Sequence, residues 1–201
     1  MVQHRLDETE FDILKELANI GMGNAVTSLS KMLGEEKIKM DVPVATLIPM
    51  QDIPDFLGGA ESLVAGVYIR AFGELPLTIL FVLPQESAAN LISLLTPGLA
   101  VGFDDLGLSV LKEVGNILIA SYLNALSLIT GLELLPTPPD VAIDMAGAII
   151  VSAIVEAGVL DDEVVLLKTN LNTTKSQING CVLILPDQGG LGKIFKMVDV
   201  G

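Results

Sequence analysis

The chain has 201 residues, 51% of them apolar and 18% charged, with a formal net charge of −14, a mean hydropathy of +0.63 and a pI near 4.2. This length supports a substantial core, the apolar content excludes disorder beyond the extreme N-terminus, and the acidic balance excludes an electrostatic hold on nucleic acid or anionic lipid. His4 and Cys181 are the single histidine and single cysteine, which excludes an intrachain disulfide, a histidine-based hydrolase triad and a multi-histidine metal centre.

The leader Met1-Val-Gln-His-Arg-Leu-Asp-Glu8 has no apolar stretch of the kind a secretory signal needs. With a lone, core-like cysteine, this points to a reducing cytoplasmic setting. A helix follows, over 11–34. Taking residue 11 as zero and about 100° per residue, Leu14, Leu17, Ala18, Ala25, Leu29 and Met32 gather on an arc of roughly 240–360°. Asn19, Asp12 and Glu16 lie on a separate stripe at about 80°, 100° and 140°. Gly21-Met-Gly23-Asn24 lies inside this helical pattern. It follows no strand and lacks the remaining residues of a phosphate loop, so it reads as a place of close packing or of room for a partner.

An extended piece with prolines is expected over 38–49, then a short helical turn over 52–57. Two β-branched runs, 63–71 and 75–83, are separated by Phe72-Gly73-Glu74 and read as an antiparallel hairpin. A short helix over 86–95 completes the first half.

The second half repeats this order. Ser109-Val-Leu-Lys-Glu113-Val-Gly-Asn116 falls on Asp12-Ile-Leu-Lys-Glu16-Leu-Ala-Asn19 at a constant offset of 97. Both helices are predicted to stop at glycine, Gly34 and Gly131. Residues 114–132 carry no formal charge and are long enough to cross a bilayer. Asn116, Asn124 and Ser127 share a face there with Glu113, so the segment reads as an amphipathic helix without membrane insertion. An extended piece over 132–139 and a helix-like run over 141–157 follow. A second hairpin is expected from 164–171 and 178–185, and a last short helix over 191–198. The runs before Pro84 and Pro186 match as hairpin ends. Asp104-Asp105 and Asp161-Asp162-Glu163 read as solvated turns and helix starts rather than metal ligands, and no metal site is expected.

The pattern α-β-(α)-β-β-α, written twice, predicts an α/β fold with an antiparallel-rich sheet, pseudo-two-fold symmetry and two long stripe-bearing helices. It is expected to form one domain over 1–201, with pseudo-repeats at about 11–100 and 108–198. Two independently folding halves are the alternative, disfavoured because each would be small and very apolar.

The repeated stripe has two readings. Asp12 and Ser109 suit first-turn or capping positions, and the other residues could simply solvate a helix face. Alternatively, the carboxylate pairs with a partner's lysine, while the carboxamide holds a water by one end and an oxyanion by the other. Such positioning suffices for attack on a phosphoryl group without histidine or metal on this chain.

The doubled motif [Asp/Ser]-x-x-x-Glu-x-x-Asn, within Leu14-Lys-Glu-Leu-Ala-Asn-Ile-Gly-Met-Gly-Asn-Ala25 and Leu111-Lys-Glu-Val-Gly-Asn-Ile117, closely resembles the CheC family of the CheC/CheX/FliY chemotaxis phosphatases. The resemblance runs over nearly the whole chain. It implies hydrolysis of the aspartyl phosphate on the phosphorylated CheY response regulator. Glu16 and Glu113 would engage the receiver's lysine, Asn19 and Asn116 would place the attacking water, and Asp12 and Ser109 would support them. The Mg2+ would come with the receiver, and the chain would need no cofactor of its own. The resemblance also implies a second partner, CheD, near Asp144 and Met145 and the following Ala146-Gly-Ala-Ile-Ile150, although a helix so apolar is equally suited to the core. The competing functions are a non-catalytic CheD-binding adaptor or phospho-receiver sink, and a structural component of the flagellar switch.

Overall fold

A computed structural model of the chain describes residues 8–32, 39–40, 45–99, 102–158, 163–172 and 177–198. One eight-stranded antiparallel sheet forms the middle of three layers. In chain order the elements are α1 (Glu8–Met32), β1 (Lys39–Met40), β2 (Ala45–Pro49), a 3-10 turn (Met50–Asp52), α2 (Ile53–Phe56), β3 (Leu63–Gly73), β4 (Leu77–Pro84) and α3 (Gln85–Leu95). The second half gives α4 (Asp105–Thr130), β5 (Leu134–Pro136), β6 (Asp140–Met145), α5 (Ala146–Ala157), β7 (Glu163–Asn172), β8 (Gln177–Pro186) and α6 (Gly190–Val198). The duplicated order expected from sequence is therefore present.

The sheet runs β1-β7-β8-β4-β3-β5, with β2 also on β7 and β6 also on β3. The inner hairpin strands β4 and β8 meet at its centre, from Leu77↔Pro186 to Val82↔Cys181. Each half lends its outer strand to the other's hairpin: β2 pairs with β7 and β6 with β3. Neither half could complete the sheet alone. At the rim, Arg70 of β3 reaches Asp187, beyond β8, at 2.7 Å, and donates to the Thr78 hydroxyl at 3.2 Å. That ion pair joins the halves a second time.

Strand alternation sends side chains to two apolar layers. One holds Val67, Ile69, Ile79, Phe81, Leu167 and Val182 beneath α1, α3, α4 and α6. The other holds Val64, Leu80, Val82, Leu166, Cys181 and Leu183 beneath α2 and α5. This alternation corrects the matching of the two prolines. Aligning Pro84 with Pro186 equates Phe81 with Leu183, yet the two face opposite layers. The proline match is out of step with the sheet by one residue, enough to exchange the two faces of a strand.

Other local expectations shift for identifiable reasons. The run 141–157 is not all helix. Its first residues form β6, whose Val141 and Ile143 pack toward the large core, and the helix begins only at Ala146. An apolar alternation of five residues reads equally well as strand or helix turn, and the open edge of β3 decides it. The hairpin turn moves beyond Gly73, which has φ 132 and no room for a side chain against the Glu133 carbonyl. Met32, expected on the buried arc, is 37% exposed because it lies in the last turn of α1. Gly131 does close α4, with φ 72. Gly34, Asp161 and Asp162, and the second hairpin's turn, lie outside the described residues.

The two long helices pack together over the sheet. A Cβ at Gly21 of α1 would clash with the ring of Tyr122 of α4, and one at Gly115 would come within 2.5 Å of Val67 on β3. Gly21 is thus a notch for the largest buried side chain, whereas Gly23 has nothing within 4 Å of where its Cβ would be. The two glycines separate cleanly on substitution. Gly21→Ala should destabilise by about 1–3 kcal/mol through overpacking. Gly23→Ala should stabilise by roughly 0.5–1 kcal/mol, since an exposed helical glycine pays only entropy. Urea denaturation of both variants measures the contrast.

Candidate functional site

Both copies of the stripe point away from the sheet. On α1, Ile13, Leu14, Leu17, Ala18, Gly21 and Ala25 are buried, leaving Asp12, Glu16 and Asn19 exposed on the far side. On α4, Val110, Leu111, Val114, Gly115 and Leu118 are buried, with Ser109 and Glu113 exposed and Asn116 half-buried. Each glutamate stands one helical turn from its asparagine, about 4.5 Å along the axis, because three residues rise 1.5 Å each. The helix backbone, fixed by its buried face, sets that spacing.

The capping account of the leading residues does not hold. The cap of α4 is Asp104, whose carboxylate accepts from the Gly107 N–H at 2.8 Å. Ser109 comes a turn later, and its hydroxyl donates to the Asp105 carbonyl at 2.8 Å. Asp12 likewise lies a full turn inside α1, which begins by Glu8. The repeat also extends further toward the N-terminus than the triplet. Glu8 maps onto Asp105 at the same offset of 97, and both are exposed. The outward row is therefore Glu8, Asp12, Glu16, Asn19 on α1 and Asp105, Ser109, Glu113, Asn116 on α4. Carrying the offset one turn back would have revealed this in sequence.

Beside the α4 row, Lys112 approaches Asp140 at 4.0 Å, and the Tyr68 hydroxyl donates to the same carboxylate at 3.4 Å. Asp140 begins β6 and pairs with Tyr68 on β3, so the Lys112 contact ties α4 to this edge of the sheet. Asp144 and Met145 end β6 just before α5 and are exposed, with the Met145 N–H donating to the Asp144 carboxylate at 2.7 Å. The α5 helix they lead into packs on the face of the sheet opposite α1 and α4. Helix α5 is itself divided. Ile149, Ile150 and Ala153 are buried, while Val151 and Val155 are 61% and 74% exposed.

Helix α4 is long and apolar enough to cross a membrane by length and composition. Here its apolar arc is spent on the sheet and on α1 instead.

The CheC-like family profile matches residues 10–47 and 106–143, the two helices with the extended pieces that follow. The chain is 33% identical over 197 residues to the CheY-P phosphatase CheC of Bacillus subtilis (strain 168), covering 94% of each. The chain belongs to the CheC-like family. Among solved structures, Thermotoga maritima FliY superposes with a TM-score of 0.75 at 20% identity, over 97% of this chain and 98% of that one. In the CheX–CheY–BeF3–Mg2+ complex of Borrelia burgdorferi, the matching chain has a TM-score of 0.54 at 20% identity, over 86% and 99%. Both likenesses are of fold.

Cys181 is no part of the site. It is buried in β8, and burial pushes its thiol from 9.0 up to about 12. Burial pushes the Tyr122 hydroxyl from 10.0 up to about 12 as well, against a smaller lowering by Thr169. Both groups hold their protons more tightly folded than unfolded. Stability should therefore be intact below about pH 9 and fall as pH rises from there toward 12. Thermal melts across that range, with thiol labelling that proceeds only on unfolding, test both statements.

Proposed function

We propose that this chain hydrolyses the aspartyl phosphate of a phosphorylated CheY-type receiver, using α1 and α4 as two half-sites. What carries the reading is the outward presentation of the same glutamate–asparagine pair on both helices of a chain 33% identical to a CheY-P phosphatase. Glu16 or Glu113 accepts a hydrogen bond from the receiver's lysine, a charge-assisted contact that anchors the complex. The carboxamide of Asn19 or Asn116 then accepts from the attacking water and donates toward the phosphoryl oxygens, aligning attack along the P–O bond that breaks. The aspartate carboxylate of the receiver is regenerated and inorganic phosphate leaves. Mg2+ is part of the phosphorylated substrate, so the chain contributes placement rather than Lewis acidity.

The division of roles follows from the helix. The glutamate supplies the carboxylate and stands a turn earlier, where a docked partner's rim reaches. The amide is uncharged and can enter an anionic pocket without repelling the phosphate. Placing water is worth two or three orders of magnitude where the reaction demands little acid–base help. Asn19→Ala together with Asn116→Ala should lower the dephosphorylation rate of phosphorylated receiver by about 100-fold or more, by analogy with loss of a positioning amide elsewhere. Either substitution alone should leave a working site. Phosphate release from the receiver is the readout, and a fully active double variant would sink the reading.

A second surface is proposed for CheD on α5. Exposed Val151 and Val155 stand one turn apart, and Met145, 46% exposed, opens the same helix beside Asp144. Helix α5 lies on the other side of the sheet from both half-sites, so its exposed valines leave the receiver's approach open. Val155→Asp should weaken CheD binding in a titration while leaving receiver dephosphorylation by the chain alone unchanged.

A further inference from the structure

The two half-sites are chemically unequal at one position. Along α1 the exposed row is Glu8, Asp12 and Glu16, carboxylates at successive turns; along α4 it is Asp105, Ser109 and Glu113. The Ser109 proton is committed to its own helix, on the Asp105 carbonyl. Asp12 caps nothing, and like charges one turn apart repel within a helix. Lys15, three residues on, offsets part of that repulsion, so what distinguishes Asp12 is an exposed charge that is not consumed in capping. A flanking cation is common to both rows, Lys15 beside one and Lys112 beside the other, and Lys112 is partly neutralised by Asp140. The flank does not create the difference. Access points the same way: Asn19 is exposed and followed a turn later by the open Gly23, while Asn116 is half-buried and followed by Ala120.

We infer that Asp12 makes the α1 half-site the tighter docking site for a partner presenting a cationic group beside its phosphoryl group, and that the α4 half-site docks the same partner more weakly. The inference rests on the phosphatase reading for the partner's identity. Asp12 is a positioning residue. Its charge acts on encounter and affinity at the rim, and it does not touch the water or the phosphorus, so it moves KM and not kcat.

The test uses the full chain and a CheY-type receiver held in its active form with beryllofluoride and Mg2+. Glu113→Ala leaves only the α1 half-site, and Glu16→Ala leaves only the α4 half-site. At low salt the first variant should bind about 2- to 5-fold more tightly, the scale of an exposed ion pair. The ratio should close toward one at about 1 M salt, where screening reaches about 3 Å. Adding Asp12→Asn to Glu113→Ala should erase the advantage, and Asp12→Glu should restore it. Adding Ser109→Asp to Glu16→Ala should confer it. In turnover of phosphorylated receiver the same changes should appear in KM with kcat held. Equal affinities of the two single-site variants at low salt, or an Asp12→Asn change that leaves Kd and its salt slope unmoved, would overturn the inference. Unequal docking without turnover would instead overturn the hydrolase reading and leave this one standing.

Discussion

The seating of Tyr122 in the notch at Gly21 is the contact on which the presentation of both rows depends. A tyrosine ring is rigid and large, and it belongs to the second half, while the notch belongs to the first. With the ring in place, neither helix can roll about its own axis without driving side-chain atoms into backbone. The rolling matters because a helix places its faces by angle. A turn of about 100° would carry Glu16 toward the core and bring a leucine outward. Gly115 against Val67 holds α4 to β3 in the same way. Two glycines, one on each helix, thus fix which residues meet solvent and which meet the sheet.

The sheet supplies the second constraint, because the halves exchange their outer strands. β2 closes on β7 and β6 on β3, so each hairpin carries an edge made by the other half. Exchange relates the two long helices through the sheet centre, where β4 and β8 meet. It also leaves room for asymmetry on the opposite face. There the first half contributes only the four residues of α2 and the second half the twelve of α5. The helix side, which carries both rows, keeps the symmetry; the α5 side does not.

Much of this was legible in the chain because helical periodicity is read over many residues. The apolar arc of α1 agrees with burial at every residue named for it except Met32, where the helix ends. The rows themselves appeared as a repeat at one offset. What the chain did not disclose depends on partners distant in sequence. Residues 140–145 carry an alternation that suits helix or strand alike, and only the free edge of β3 makes them β6. The proline match failed for a related reason, since a strand's face is set by its neighbour's register rather than by the residue that ends it. Cys181 was legible as a core residue from its surroundings, and burial in β8 gives it no nucleophilic use.

A helix would be a fitting carrier for a residue whose proposed work is placement. A loop residue can aim a water only if other contacts restrain it, whereas Asn19 and Asn116 inherit their direction from buried turns on either side. The same rigidity explains why the two rows can differ at one residue without losing the others. Exposed positions on a helix are coupled only weakly, by about a few tenths of a kcal/mol per pair, so Asp12 and Ser109 can diverge while the glutamate and asparagine stay in register. If the proposed roles hold, two sites of equal chemistry and unequal affinity would follow from one exposed side chain. On the proposed reading the tighter site would work at low receiver concentration, the weaker would add its share as the first saturates, and the summed rate would rise over a wider range than either site alone would give.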